Sequence, residues 1–202
     1  MGRSESKVLP VISKISSLNP SITTKFITCD LASQASIRTA AAEINAAFPK
    51  IDYVFNTAGV MAVPTYQTSK EGVEMQFASN HLGHFLLTNL IMPKILAAGE
   101  GSRIINVSST GFEMGGVNFE DVNYNVRDNH ISNVKIKVLS LVDSQEGNDY
   151  DCWAAYAQSK TANVLFAAGL ADKLRSKGIQ SFALQPGGMN FPDTKVRNMN
   201  MN

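Results

Sequence analysis

Arg103-Ile104-Ile105-Asn106-Val107-Ser108-Ser109 (RIINVSS) is a short, apolar, β-branched run that stops at two hydroxyls. Its length and composition predict a buried strand rather than a helix. The same signal occurs at Lys25 to Cys29 (KFITC) and Ile51 to Phe55 (IDYVF) before it, and at Gln180 to Leu184 (QSFAL) after it. Between these runs the apolar spacing becomes helical. Ser33 is placed to cap a helix carrying Ile37, Ala41, Ile44 and Phe48, a longer pattern runs from about Glu74 to Leu96, and another from about Ala154 to Leu174. An earlier helix, with Val8, Leu9, Ile12, Ile15 and Leu18 at helical spacing, stops at Asn19-Pro20. Strands alternating with amphipathic helices imply parallel pairing through right-handed crossovers, so the expected class is α/β, an open, doubly wound parallel sheet in a single domain.

Ligands of such sheets sit at the carboxyl ends of the strands, and several of these strands end unusually. Phe55 is followed by Asn56-Thr57-Ala58-Gly59, where Ala58 and Gly59 remove side-chain bulk and let a flat ligand reach the backbone. An ordinary turn would read the same way. Ser108 and Ser109 read first as a helix cap or a loop pair, with a catalytic hydroxyl as the alternative. Tyr156 and Lys160, at i and i+4, share one face of a helix. A phenol alone is a poor base near neutral pH, but a neighbouring ammonium favours the phenolate and makes the pair a candidate general acid/base. A chance YxxxK on a solvated face is the plain alternative.

With 18 basic and 17 acidic side chains spread along 202 residues, net charge +1, the chain carries no electrostatic footprint for nucleic acid or an anionic membrane. The most apolar stretch, His84 to Ala98, contains Thr88, Asn89, Pro93 and Lys94 and falls short of the roughly 20 residues a spanning helix needs. Cys29 and Cys152 stand alone, and the N-terminus carries no hydrophobic signal region, so a cytoplasmic protein is expected. No metal site is expected: His81 and His84, beside Phe77 and Phe85, read as packed or capping histidines. Trp153 and Phe191 read as core aromatics, with a substrate-lining role as the alternative.

Taken in order, DLAS at Asp30 to Ser33, NTAG at Asn56 to Gly59, NHLGHF at Asn80 to Phe85, NVSS at Asn106 to Ser109, YAQSK at Tyr156 to Lys160 and QPGG at Gln185 to Gly188 form a specific set. The chain resembles the short-chain dehydrogenase/reductase family, in particular its retinol-dehydrogenase-like eukaryotic members, from Arg3 to about Gly188. The resemblance implies a Rossmann-type NAD(P)-binding domain and an oxidoreductase interconverting a small-molecule alcohol and a carbonyl by hydride transfer, with NADP (or NAD) as cofactor. It implies a tetrad: Tyr156 as acid/base, Lys160 on the nicotinamide ribose beside Tyr156, Ser109 rather than Ser108 on the substrate oxygen, and Asn80 supporting a water that links Lys160 to solvent. It implies adenine contacts at Asp30 and Leu31, a cofactor wall at Asn56, Ala58 and Gly59, a turn beside the nicotinamide at Pro186 and Gly187, and Arg3 against the 2′-phosphate of NADP. The family's Thr beside the carboxamide has no counterpart in Gly188-Met189-Asn190-Phe191, and Thr194 comes late.

The family opens with a strand and a TGxxxGxG turn that admits the pyrophosphate to a helix N-terminus. This chain opens at Met1-Gly2-Arg3, where the resemblance places the end of the second strand. The expectation is therefore an incomplete domain spanning 1–202, lacking that first strand and its glycine-rich turn, with weak cofactor binding. A non-catalytic interaction or regulatory remnant, pairing with another subunit in a homo-oligomer through an open sheet edge, is the competing class. Ser109 and Tyr156 also lie further apart than in the family. Val126 to Gln145 reads as an insertion outside the core: removing it joins VNFEDVNYN to EGNDYDCWAAYAQSK, and its ends are compatible with a retained intron, with a genuine substrate-lid insertion as the alternative.

Overall fold

In the RIINV run, Arg103–Val107 forms the central strand of a parallel three-stranded sheet, ordered β1 (Tyr53–Asn56), β2 (Arg103–Val107), β3 (Gln180–Leu184). The computed structural model describes residues 1–124 and 150–187. The reading of Val126 to Gln145 as an insertion, and the readings at Gly188 to Asn202, lie outside the described residues. The register is regular: Val54 pairs with Ile104, Asn56 with Asn106, Ile105 with Phe182 and Val107 with Leu184. Their carboxyl ends are thereby held side by side.

The helices are α1 (Glu5–Leu18), α2 (Gln34–Ala47), α3 (Met75–Phe77), α4 (Gly83–Ala98) and α5 (Cys152–Leu174), with a π-helical turn, Ala78–Leu82, joining α3 to α4. Pairing through the crossovers α4 and α5 leaves one sheet face covered. Val54 and Ile104 on that face pack with Ile37, Ala40, Ala41 and Ile44 of α2, Leu87, Ile91 and Ile95 of α4, and Leu170 and Leu174 of α5. This is the amphipathic pattern expected from the sequence. On the other face Tyr53, Phe55 and Phe182 remain exposed, and α1 buries none of its residues. Ile105, between Phe55 and Phe182 on that face, is nonetheless buried, and the parallel sheet with its crossover helices is of the expected α/β class.

KFITC is shorter as a strand than its composition suggests. Only Thr28 pairs, in parallel with Gly2, through Gly2 N donating to Ile27 O and Cys29 N to Gly2 O. Arg3 follows Gly2 directly and Asp30 follows Cys29, so both stand just past the same short ladder.

Candidate active site

Helix α5 begins at Asp151, whose carboxylate accepts from the backbone N–H groups of Trp153 at 2.7 Å and Ala154 at 2.9 Å. A carboxylate at that end also complements the helix dipole. The cap fixes the phase of the helix, and with it the stripe Trp153, Tyr156, Lys160. Tyr156 and Lys160 are buried, and the Lys160 ammonium lies 5.5 Å from the centroid of the Tyr156 ring. Lys160 Nζ donates to Val107 O at 3.2 Å, which ties it to the end of β2. Burial pushes its pKa below the usual lysine value.

The two serines after β2 separate cleanly. Ser108 is buried and its hydroxyl donates to Lys160 O at 2.8 Å, binding strand to helix. Ser109 is partly exposed; its Oγ accepts from Gly111 N at 3.1 Å, capping the short turn Thr110–Met114 and leaving its own proton free to donate. A Cβ placed on Gly111 would lie 3.0 Å from Tyr156 Cε1 and 3.5 Å from Ser109 Oγ. The phenol ring and the Ser109 hydroxyl thus both lie close to Gly111, where a Cβ would press on the ring.

Asn80 sits in the π-helical turn, a feature frequent at functional sites. Fully buried, it accepts from Val60 N at 2.7 Å and donates to Val60 O at 2.8 Å and Ser159 Oγ at 3.0 Å. Ser159 in turn donates to Tyr156 O at 2.7 Å. One side chain therefore joins the loop after β1 to the turn of α5 that carries Tyr156. Gly59 permits this, because a Cβ there would come within 2.7 Å of Asn80 Oδ1.

Of the expected cofactor contacts, Ala58 and Gly59 are exposed beyond β1, and Pro186 and Gly187 are exposed beyond β3. Asp30 and Leu31 are half-buried, with Asp30 Oδ1 turned back to accept from Ala32 N at 3.0 Å. Asn56 differs from its expected place. Its buried side chain donates to Thr88 Oγ1 at 3.1 Å and Asn106 Oδ1 at 2.9 Å, so only its backbone faces the strand ends. Arg3 is exposed.

Residues 1–121 match the short chain dehydrogenase family. The chain belongs to that family. It is 42% identical over 158 residues to human retinol dehydrogenase 13, an alignment covering 78% of this chain and 41% of that protein. It is 38% identical to mouse retinol dehydrogenase 14, covering 78% of this chain and 40% of that one. A crystal structure of a putative uncharacterized protein from Mycobacterium Paratuberculosis superposes with a TM-score of 0.68 at 29% identity, covering 95% of this chain and 59% of the other. The chain thus spans less than half the length of these two dehydrogenases.

Two further polar residues, Gln158 of the YAQSK motif and Glu74 at the start of the long helical pattern, support the loops around the site without having been given a role in the sequence. Gln158 holds the loop before the undescribed segment, accepting from Asn118 N at 2.9 Å and donating to Val122 O at 3.1 Å. Buried Glu74 caps α3 by accepting from Gln76 N and Phe77 N. Their signal was polar residues at core-facing helical positions. His81 packs against Phe77, Phe85 and Phe166, and its Nδ1 lies 3.2 Å from Asn163 Oδ1. No helix among the described residues is long and apolar enough to cross a membrane.

His84 Nδ1 lies 2.9 Å from Asn80 O. A carbonyl can only accept, so Nδ1 carries the proton. Burial, with smaller effects from Lys160 and His81, pushes the His84 pKa down to about 4. An unfolded chain takes up this proton near pH 6.5, before the native state does, so His84 favours the native state above that pH and loses the contribution as pH falls towards 4. Melts from pH 7 to pH 4.5 should show the protein losing about 2 to 3 kcal/mol more than His84→Gln. Parallel pH profiles for the two proteins would contradict it.

Proposed function

We propose that this chain carries the reaction centre of an NAD(P)-dependent oxidoreductase that interconverts a small-molecule alcohol and a carbonyl. The observation that carries the reading is the grouping of the Tyr156 ring and the Ser109 hydroxyl against Gly111, with the Lys160 ammonium 5.5 Å from the ring centroid. A carbonyl oxygen that reaches both hydroxyls would accept a hydrogen bond from Ser109 and a proton from Tyr156. The buried charge of Lys160 stabilises the phenolate left behind. In the reverse direction the phenolate takes the alcohol's proton. Asn80 keeps the loop after β1 and the turn bearing Tyr156 in register.

The exposed, small-side-chain ends of β1 and β3 and the Asp30-Leu31 corner suit the adenosine and the nicotinamide ribose of a dinucleotide. Such a cofactor, when bound, supplies or accepts the hydride. Lys160 would hold the ribose, Ala58 and Gly59 the wall beside it, and Pro186 and Gly187 the nicotinamide side. Arg3, one residue past Gly2 in the short Gly2–Thr28 bridge, would fork onto a 2′-phosphate, favouring NADP. Arg3→Ala is then expected to raise KM for NADP about 10-fold or more, a charge-assisted hydrogen bond being lost, with KM for NAD unchanged. Equal change for both cofactors would remove Arg3 from the site.

The single-domain reading over 1–202 and a reducing, cytoplasmic setting belong to the same proposal; Cys29 and Cys152 are both free thiols. The exposed Tyr53, Phe55 and Phe182 favour a second reading, a non-catalytic interaction module. Reduction of an aldehyde with NADPH, followed by loss of absorbance, tests between them. Turnover that depends on Tyr156 supports the enzyme, and cofactor-independent behaviour supports the module.

A further inference from the structure

Trp153 is the single tryptophan of the chain, and it is not in the core: 41% of its surface is exposed, against 8% for Tyr156 and 5% for Lys160. These residues lie at i, i+3 and i+7 on α5, along one stripe of the helix. The stripe passes from the buried ammonium, through the phenol, to an open indole. The indole meets the Tyr156 ring edge to face, with centroids 6.2 Å apart and planes at 89°, a geometry in which aromatic rings attract. Its backbone is pinned by Asp151 in the helix cap. An indole carries a large apolar area, and leaving two-fifths of it wet forgoes stabilisation unless something covers it.

We propose that Trp153 is a specificity-determining residue that forms the aromatic wall of the substrate site, selecting carbonyl compounds or alcohols that carry a flat apolar group. The inference rests on the reading of Tyr156 as the acid/base. A substrate oxygen between Tyr156 and Ser109 sits at the buried part of the stripe, so what is attached to the reacting carbon extends towards the open part. There it meets the indole. A flat ring or conjugated chain covers that surface, and a one-carbon substituent does not reach it. The Asp151 carboxylate, in the turn that carries the indole, disfavours anionic substrates.

Because Trp153 is the single tryptophan, the protein gives one indole N–H resonance, which reads the wall without turnover. Titration with acetonaphthone should shift this resonance saturably, and acetone should not. In assays of the same two ketones, Trp153→Ala should lower kcat/KM for acetonaphthone about 10- to 100-fold, the scale of a lost apolar contact. It should leave that for acetone within about twofold, and Trp153→Phe should recover part of the loss. An indole resonance indifferent to acetonaphthone, or an equal loss with both ketones, overturns the wall. A saturable shift in a protein that reduces neither ketone would leave the wall standing and overturn the oxidoreductase reading instead.

Discussion

Tyr156→Phe is expected to lower kcat about 10²- to 10⁴-fold, the usual contribution of a positioned general acid/base, while leaving cofactor affinity and melting temperature unchanged. The separation follows from the geometry. Among the described residues the Tyr156 hydroxyl makes no hydrogen bond, whereas its ring packs against Trp153, Gly111 and the Lys160 ammonium. Phenylalanine keeps the ring and so keeps the packing. What it removes is the phenolic proton. Ser109→Ala should cost less, since it removes a hydrogen bond to the substrate oxygen and not the proton donor. Steady-state rates, a cofactor titration and a melt on the parent and Tyr156→Phe decide the matter. A Phe variant within about threefold of the parent rate would mean that protons reach the substrate by another route.

Strand and helix positions were readable because each run kept its period. RIINV and QSFAL form strands over the expected residues, IDYVF does so two residues late at its start, and α5 starts at Cys152 rather than Ala154 because Asp151 caps it. The π-helical turn at Ala78–Leu82 left no such trace: one extra residue per turn hardly alters an apolar pattern, yet it sets where Asn80 points. KFITC was read as a full strand from its composition, but pairing needs a partner, and only Gly2 lies alongside Thr28. The placing of Asn56 was recoverable. Val54 is buried, successive strand side chains alternate in direction, and so Asn56 points into the same face as Val54, towards Thr88. Treating the motif NTAG as a unit hid that parity. Trp153 was read as core because large aromatics usually are; its exposure depends on the phase that Asp151 gives the helix, which periodicity alone does not fix.

Asn80→Ala should be the most damaging single change to the scaffold of the site, lowering stability by about 3 kcal/mol. The substitution deletes an acceptor for Val60 N, a donor to Val60 O and a donor to Ser159 Oγ at once. Each buried group left without a partner costs about 1 to 3 kcal/mol, and neighbouring losses do not simply add. For a chain of this size the change corresponds to a fall in melting temperature of about 6 to 12 °C. The carboxamide also holds the loop after β1 to the turn of α5 that carries Tyr156, so cofactor affinity and kcat should fall together. Asn80→Asp separates the contributions. It keeps the acceptor for Val60 N but loses both donors, and its buried charge carries a further desolvation cost near neutral pH. Asn80→Asp should therefore recover stability as pH falls through the carboxyl group's raised pKa, a recovery the Ala variant cannot make. An Asn80→Ala protein that melts with the parent would show that the loop at Val60 and helix α5 are held together by other contacts.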